Sequence, residues 1–409
     1  MNSLSQGEGR SPLARMEFPW TFTQMGLVMG RHTCRAAANT SSFPNIMSTS
    51  SSFSRIEASA IVIPSKQQNP RFPVLDTIRG FAFLLVLFAH IGQARGFPSI
   101  GMGQFGVWIF FVLSAFLLSY PFFSQPSTLG QPQVLGVYCI RRFLRIFPPL
   151  ALALVAFHFL RAWGWDKVWR NLIVLRGDGL LWTVYIETRY YLLLPLIVAA
   201  VTLLWRRPVL LGSVLIVALG LQLIDAPFWK EPKTWYAWGQ GLHAFFQYLP
   251  LFVSGTLLAR LHVAVSRSNL WSARLGRSAP VCTVASLLVL ALLSPAAPAM
   301  NLGVCVPPRF YYCWWVPMIP LICGLVFFPL FLGGELNRFL AHPGFRFFGM
   351  ISYSGYLFHM IFVERFATIS SNGLFVIVVV GASCLIATLA HYLVERPFGA
   401  LAQSLNRFK

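Results

Sequence analysis

"VLDTIRGFAFLLVLFAHIGQ", residues 74–93, is apolar over the length of a bilayer crossing, yet it carries Asp76, Arg79 and His90. A run of about 20 apolar residues spans the hydrocarbon core, so the stretch reads as a transmembrane helix. Ionisable groups within that core cost kilocalories each and as a rule mark function. At 100° per residue, the step from Arg79 to His90 makes three turns plus about 20°, so both side chains share one face about 16 Å apart along the axis. One ligand could reach both. Asp76 sits where the helix begins and can meet its free amide groups as a cap. Taken singly, Arg79 also reads as an arginine snorkelling to the interface, and His90 as a helix-packing histidine. As a pair on one face they are harder to dismiss.

The remainder of the chain has the composition of an integral membrane protein. Of 409 residues, 56% are hydrophobic and 11% charged, where a soluble domain carries roughly 25% charged residues. The formal net charge of +20 is spread in short clusters between apolar runs. That is the pattern of basic loops at an anionic membrane face rather than of a nucleic-acid-binding block, so the expected partner is the bilayer and not nucleic acid. Seven cysteines (Cys34, Cys139, Cys282, Cys305, Cys313, Cys323 and Cys384) are scattered and read as packing residues. Only Cys305 and Cys313, in one short loop, could pair at all. No ligand spacing suggests a metal.

Residues 1–70 differ in kind. Segments such as "NTSSFPNIMSTSSSFSR" are rich in Ser, Pro, Asn and Arg without an apolar period, which predicts a disordered tail. Its composition also fits a transit peptide; the reading preferred here is a variable cytoplasmic tail, or an upstream start with translation able to begin near Met47. Ten apolar runs follow, at 75–94, 104–124, 146–163, 180–204, 208–225, 241–263, 279–295, 312–333, 347–369 and 372–394. The fold class is therefore all-α, with about ten transmembrane helices in one bundle over residues 71–398 and a short tail at 399–409. An even number of spans puts both termini on one side. That side carries Arg141, Arg142, Arg145, Arg206, Arg207, Arg260, Arg267, Arg274, Arg277, Arg338 and Arg346 in its loops, so it is expected to be cytoplasmic. A multi-pass plasma-membrane protein results, with no internal or inverted repeat.

At this level of detail the chain resembles the acyltransferase-3 family of multi-spanning O-acyltransferases. The family's first helix carries a leucine-aspartate pair, an arginine, and a histidine after ten intervening residues, here Leu75, Asp76, Arg79 and His90. "GQFGVWIFFVLSAFLLSYPF" is similar to its second helix, with Ala115 where glycine is usual. "YCIRRFLRIFPPL" resembles the arginine-rich segment before its third helix, with Arg141, Arg142, Arg145 and Pro148 in register. "LWTVYIETRYYLLLPLI" resembles its tryptophan-to-glutamate segment, with Trp182, Glu187, Tyr190, Tyr191 and Pro195. "YLPLFVSGTLLA", "FGMISYSGYLFHM" and "YLVERPF" match later segments in the same order. Each is weak alone; the ordered set, over about residues 71–398, is strong.

The resemblance implies transfer of an acyl group, commonly acetyl from acetyl-CoA, to a hydroxyl of a sugar, glycan, lipid-linked saccharide or macrolide. A hydroxyl becomes nucleophilic when a base takes its proton, and histidine titrates near neutral pH. His90 is accordingly the expected general base. Arg79, and with it Arg142 and Arg145 on one helical face, are expected to bind the phosphate end or arm of the acyl-CoA, since guanidinium presents several donors to phosphate oxygens. The arginine cluster also reads as a plain positive-inside signal. Glu187, between aromatic side chains inside a membrane helix, must be paired, protonated or wetted. It is expected to orient or charge His90, to accept from the acceptor's hydroxyl, or to pair with Arg189 or a loop arginine. Asp76 and His359 complete the expected binding set, His359 in the acceptor cavity.

Other side chains have blander readings. Ser114 is expected to bond back to its own helix, Tyr190 and Tyr191 to pack or anchor, and Ser352 and Tyr353 to be structural. Trp163, Trp165, Trp314 and Trp315 read as interfacial anchors. His158, His243 and His391 have no partner legible in the sequence. A transporter or flippase for an anionic or lipid-linked solute would place Arg79 and His90 in the same way; the ordered motifs favour the enzyme, and the lack of broken, repeated helices speaks against the transporter.

Overall fold

Inside a bilayer every backbone amide and carbonyl must be satisfied within the protein, which leaves helices as one of two solutions. The computed structural model of the chain describes residues 72–97, 102–173, 176–225, 242–293, 324 and 328–404. It is 87% helical with no strand among the described residues. The tail expected at 1–70, most of the span expected at 312–333, the Cys305–Cys313 pairing, Trp314 and Trp315 lie outside them.

The helices are α1 (Pro73–Ala94), α2 (Met102–Ser124), α3 (Pro132–Arg161), α4 (Trp165–Leu172), α5 (Trp182–Leu204), α6 (Pro208–Asp225), α7 (Leu242–Val265), α8 (Asn269–Leu293), α9 (Glu335–Leu340), α10 (Pro343–Met350), α11 (Ser352–Arg365), α12 (Asn372–Ala390) and α13 (Arg396–Ser404). A π-turn at His391–Glu395 joins α12 to α13. Among the described residues six segments are long and apolar enough to cross a membrane: 73–94, 102–124, 132–161, 179–204, 248–265 and 372–404. Within α6 the apolar stretch is the shorter Pro208–Val217.

Four boundaries differ from the sequence reading. The third helix begins at Pro132 rather than 146, so Arg141, Arg142 and Arg145 stand on a helix and not in a loop. A proline at its first position suits a helix start, and Pro148 and Pro149 are carried inside it. Likewise α8 begins at Asn269, taking Arg274 and Arg277 out of the expected loop. Conversely, the expected span 347–369 is interrupted at Ile351 into α10 and α11. The expected C-terminal tail starts as helix α13, whose Ala402 carbonyl accepts from Arg141 Nε at 3.1 Å.

Apolar side chains gain little from meeting each other in lipid, so close backbone approach decides how membrane helices pack. α1 packs against α2, α10 and α11, and α2 against α7. At the α1–α10 contact, a Cβ on Gly349 would collide with the carbonyl oxygen of Asp76; one step along, a Cβ on Gly355 would lie 2.5 Å from the Phe83 ring. Glycine at these positions lets α11 run beside α1 in the same direction. Ala115, the departure from the family's glycine, is fully buried, and a Cβ on Gly255 of α7 would stand only 2.7 Å from it. The small residue needed at that crossing is thus supplied by the facing helix.

The start of α11 is met from a distance. The backbone amide of Ser354 donates to Glu395 Oε1 at 3.1 Å, its hydroxyl donates to the same oxygen, and His391 Nδ1 lies 3.0 Å from Oε2. Arg95, at the end of α1, donates to the carbonyls of Ala367 and Ile369 and lies over the Phe375 ring. Between these two ties α11 is fixed at both ends.

Candidate functional site

Five helices each turn one stripe toward a cavity of about 270 Å³. α2 contributes Val107, Phe110, Phe111, Ser114, Leu117 and Leu118, and α5 contributes Thr183, Val184, Glu187 and Tyr191. These positions recur every three to four residues, the period of one helix face. α1 supplies Arg79, α3 supplies Arg142, Arg145 and Ile146, and α11 supplies Ser352, Tyr353 and Tyr356. Segments far apart in the sequence thus converge on one wall, three guanidinium groups against one carboxylate.

Glu187 is held by hydroxyls rather than by a cation. Ser114 Oγ donates to its Oε1 at 2.5 Å, and the Tyr191 hydroxyl donates to the same oxygen. Ser114 therefore does not bond back to its own helix as expected. Tyr191 is in turn fixed, because the Tyr138 hydroxyl donates to its carbonyl at 3.1 Å. Both donors meet Oε1, and among the described residues no hydrogen bond to Oε2 is made. Arg189, two residues along and on the opposite face, lies over the Tyr185 ring at 3.9 Å. Neither His90 nor an arginine is an ion-pair or hydrogen-bond partner of Glu187 among the described residues.

The arginines show the complementary pattern. Among the described residues Arg79, Arg142 and Arg145 make no hydrogen bond or ion pair, and Arg142 Nε is buried with no partner. A buried donor left unmet costs about 1–3 kcal/mol, so the cavity suits acceptors that the described residues do not provide. Arg145 is exposed while lining it, which opens the cavity on that side. Arg142 lies 19 residues before Arg161, about 28 Å along α3, close to the roughly 30 Å of a hydrocarbon core. The arginine cavity therefore sits toward the end of α3 remote from Arg161, Trp163 and α4.

Two expected binding residues stand elsewhere. Asp76 does not cap α1, which begins at Pro73 without a side-chain cap. It pairs instead with Arg346 at 3.4 Å, outside the cavity lining. His359 is fully buried and outside the cavity lining; its Nδ1 lies 2.7 Å from the carbonyl of Tyr356, which lines the cavity. The Tyr356 hydroxyl donates to Leu180 O at 2.8 Å and accepts from Thr183 Oγ1 at 3.0 Å.

His90 also lies outside the cavity lining, further along α1 from Arg79 as its spacing requires. Its Nδ1 is 2.9 Å from Val86 O and 3.2 Å from His359 Nε2. The sequence brings Arg79 and His90 onto one helix; the structure gives each a separate neighbourhood, joined through Tyr356. Nothing in the spacing of the sequence signals the contacts of His359 with His90, of Ser114 with Glu187, or of Glu395 with α11, because each joins segments that only the packing brings together. His158, unassigned from sequence, has its Nδ1 2.6 Å from Trp163 O and its ring against Trp165.

Compared with known families, residues 72–393 match the model described as an acyltransferase domain. No curated protein and no solved structure matches the chain.

Proposed function

Because the chain belongs to the acyltransferase-3 family and is thus a membrane acyltransferase, we propose that it moves an acyl group from acyl-CoA to an acceptor hydroxyl. The observation that carries this reading is a cavity lined by Arg79, Arg142 and Arg145, whose guanidinium groups make no hydrogen bond or ion pair among the described residues. Such a wall suits phosphate oxygens, to which arginine presents its donors in a fork. At about 270 Å³ it holds a part of acyl-CoA, the phosphate end or the arm, and not the whole. Acetyl is the proposed acyl group. With both termini cytoplasmic at a plasma membrane, the arginine cavity faces the cytosol, where acyl-CoA is found.

His90 is proposed as the base. In the proposed step the acceptor hydroxyl gives its proton to His90, its oxygen attacks the thioester carbonyl, and the carbon–sulfur bond breaks. The proton then passes to the leaving thiolate, so that the products are an ester and free CoA. Glu187, which lines the cavity, is proposed to hold the donor arm or an entering hydroxyl rather than to orient His90. His90 is only five residues from Arg95 at the far end of α1, about 8 Å along the axis. The acyl group would then travel inward from the cytosolic cavity and meet an acceptor arriving from the other half of the bundle. A saccharide, a lipid-linked saccharide or a macrolide-type molecule fits this arrangement.

The test follows label from radioactive acetyl-CoA into extractable products of membranes carrying the native protein or His90→Ala. Label in a hydroxyl-bearing product, lost in the equally abundant variant, supports the reading. Labelling equal in the two would remove His90 as the base. Absence of label with acetyl and longer donors, accompanied by uptake of an anionic solute, would replace the enzyme by a transporter.

A further inference from the structure

We propose that His359 is a positioning residue that fixes the tautomer of His90 and turns its Nε2 lone pair outward as the base. This rests on the reading of His90 as the base for acyl transfer, and the geometry that carries it is a chain of three contacts.

His359 Nδ1 faces the Tyr356 carbonyl at 2.7 Å. A carbonyl only accepts, so the hydrogen of a neutral His359 ring sits on Nδ1, and its Nε2 is left with a lone pair. That Nε2 lies 3.2 Å from His90 Nδ1, which also lies 2.9 Å from the Val86 carbonyl. Both neighbours of His90 Nδ1 are therefore acceptors. The hydrogen of a neutral His90 ring must then sit on Nδ1, shared between them, and Nε2 carries the lone pair. Which ring nitrogen is free is set by what the other one meets.

Three further observations agree. His90 Nε2 makes no hydrogen bond to a described residue and is not among the buried atoms left without a partner, so it stays accessible to a hydroxyl. His359 is fully enclosed, which suits a residue acting through another and not one that touches substrate. Its helix is held at both ends, by Glu395 at Ser354 and by Arg95 at Ala367 and Ile369, and it lies close to α1 across Gly349 and Gly355. When His90 takes a proton at Nε2, the cation that forms keeps Nδ1–H directed at two acceptors. The Val86 carbonyl is local to α1 and would be present in any helix; the acceptor from α11 is what fixes the ring plane.

The experiment uses the full-length protein in nanodiscs with nitrogen-15-labelled histidine, read by the ring-nitrogen spectrum, together with steady-state acyl transfer. The native His90 signal, assigned by its loss in His90→Ala, is expected to show Nδ1 protonated and Nε2 unprotonated. His359→Leu is expected to mix the two tautomers of His90 and to lower kcat about 100-fold, the lower end of what a positioned base contributes, with the KM for acetyl-CoA unchanged. His359→Gln, which keeps an acceptor near the place of Nε2, is expected to restore most of kcat. A native spectrum with Nε2 protonated overturns the proposal, including where His359→Leu fails to fold. So does a folded His359→Leu protein with native kcat. If acyl transfer is absent from the native protein while His90 shows the expected tautomer, the acyltransferase reading fails and the assignment of the ring contacts stands; if transfer depends on His90 but not on His359, the reverse holds.

Discussion

Replacing Arg142 by methionine should move stability and donor binding in opposite directions. Its Nε is buried without a partner among the described residues, and its guanidinium shares the cavity with those of Arg79 and Arg145. An unmet buried donor costs about 1–3 kcal/mol, and methionine fills irregular space without a charge. The variant is therefore expected to unfold later than the native protein in detergent, by about 1–3 kcal/mol. Binding of the donor should suffer, because hydrogen bonds to charged groups contribute about 1.5–3 kcal/mol, or roughly 10- to 150-fold in affinity. Thermal unfolding with and without CoA reads both effects at once. At a CoA concentration of 100 times its Kd the native protein gains about 2.7 kcal/mol, and Arg142→Met at the same concentration gains much less. Steady-state kinetics should show a raised KM for acetyl-CoA with kcat nearly unchanged. A variant that is less stable than native and keeps its KM would show the guanidinium to be a packing element, and the argument from its missing partner would be wrong.

Ser114→Ala and Tyr191→Phe each remove one of the two donors on Glu187 Oε1, and each is expected to lower kcat severalfold. Because both act on one oxygen, the double variant should deviate from additivity by about 0.5–3 kcal/mol; a strictly additive cycle would show that they do not share Glu187. At the α1–α10 contact, Gly349→Val places side-chain atoms against the Asp76 backbone, where overpacking costs about 1–3 kcal/mol or more. It should lower the yield of monodisperse protein in size-exclusion chromatography, and native yield would refute the close approach.

The sequence by itself determined the helical class of the structure and the family to which the chain belongs. Uninterrupted apolar runs leave no alternative to membrane helices, and the helical period alone puts Arg79 and His90 on one face and Arg142 and Arg145 on another, since these are properties of a single helix. The order of motifs likewise pointed to the family before any packing was known. Helix ends were less legible: hydropathy marks where lipid contact stops, not where hydrogen bonding stops, so it missed the 14 residues by which α3 precedes the span expected at 146. Partners across the bundle were not legible at all. Asp76 turns to Arg346, Glu187 to Ser114 and Tyr191, and His359 to His90, and each choice follows from which helices approach closely enough to meet. That approach is governed by small residues such as Gly349, Gly355 and the Ala115–Gly255 pair. Spacing along one helix is fixed by covalent geometry, whereas contact between helices depends on the packing of all of them together.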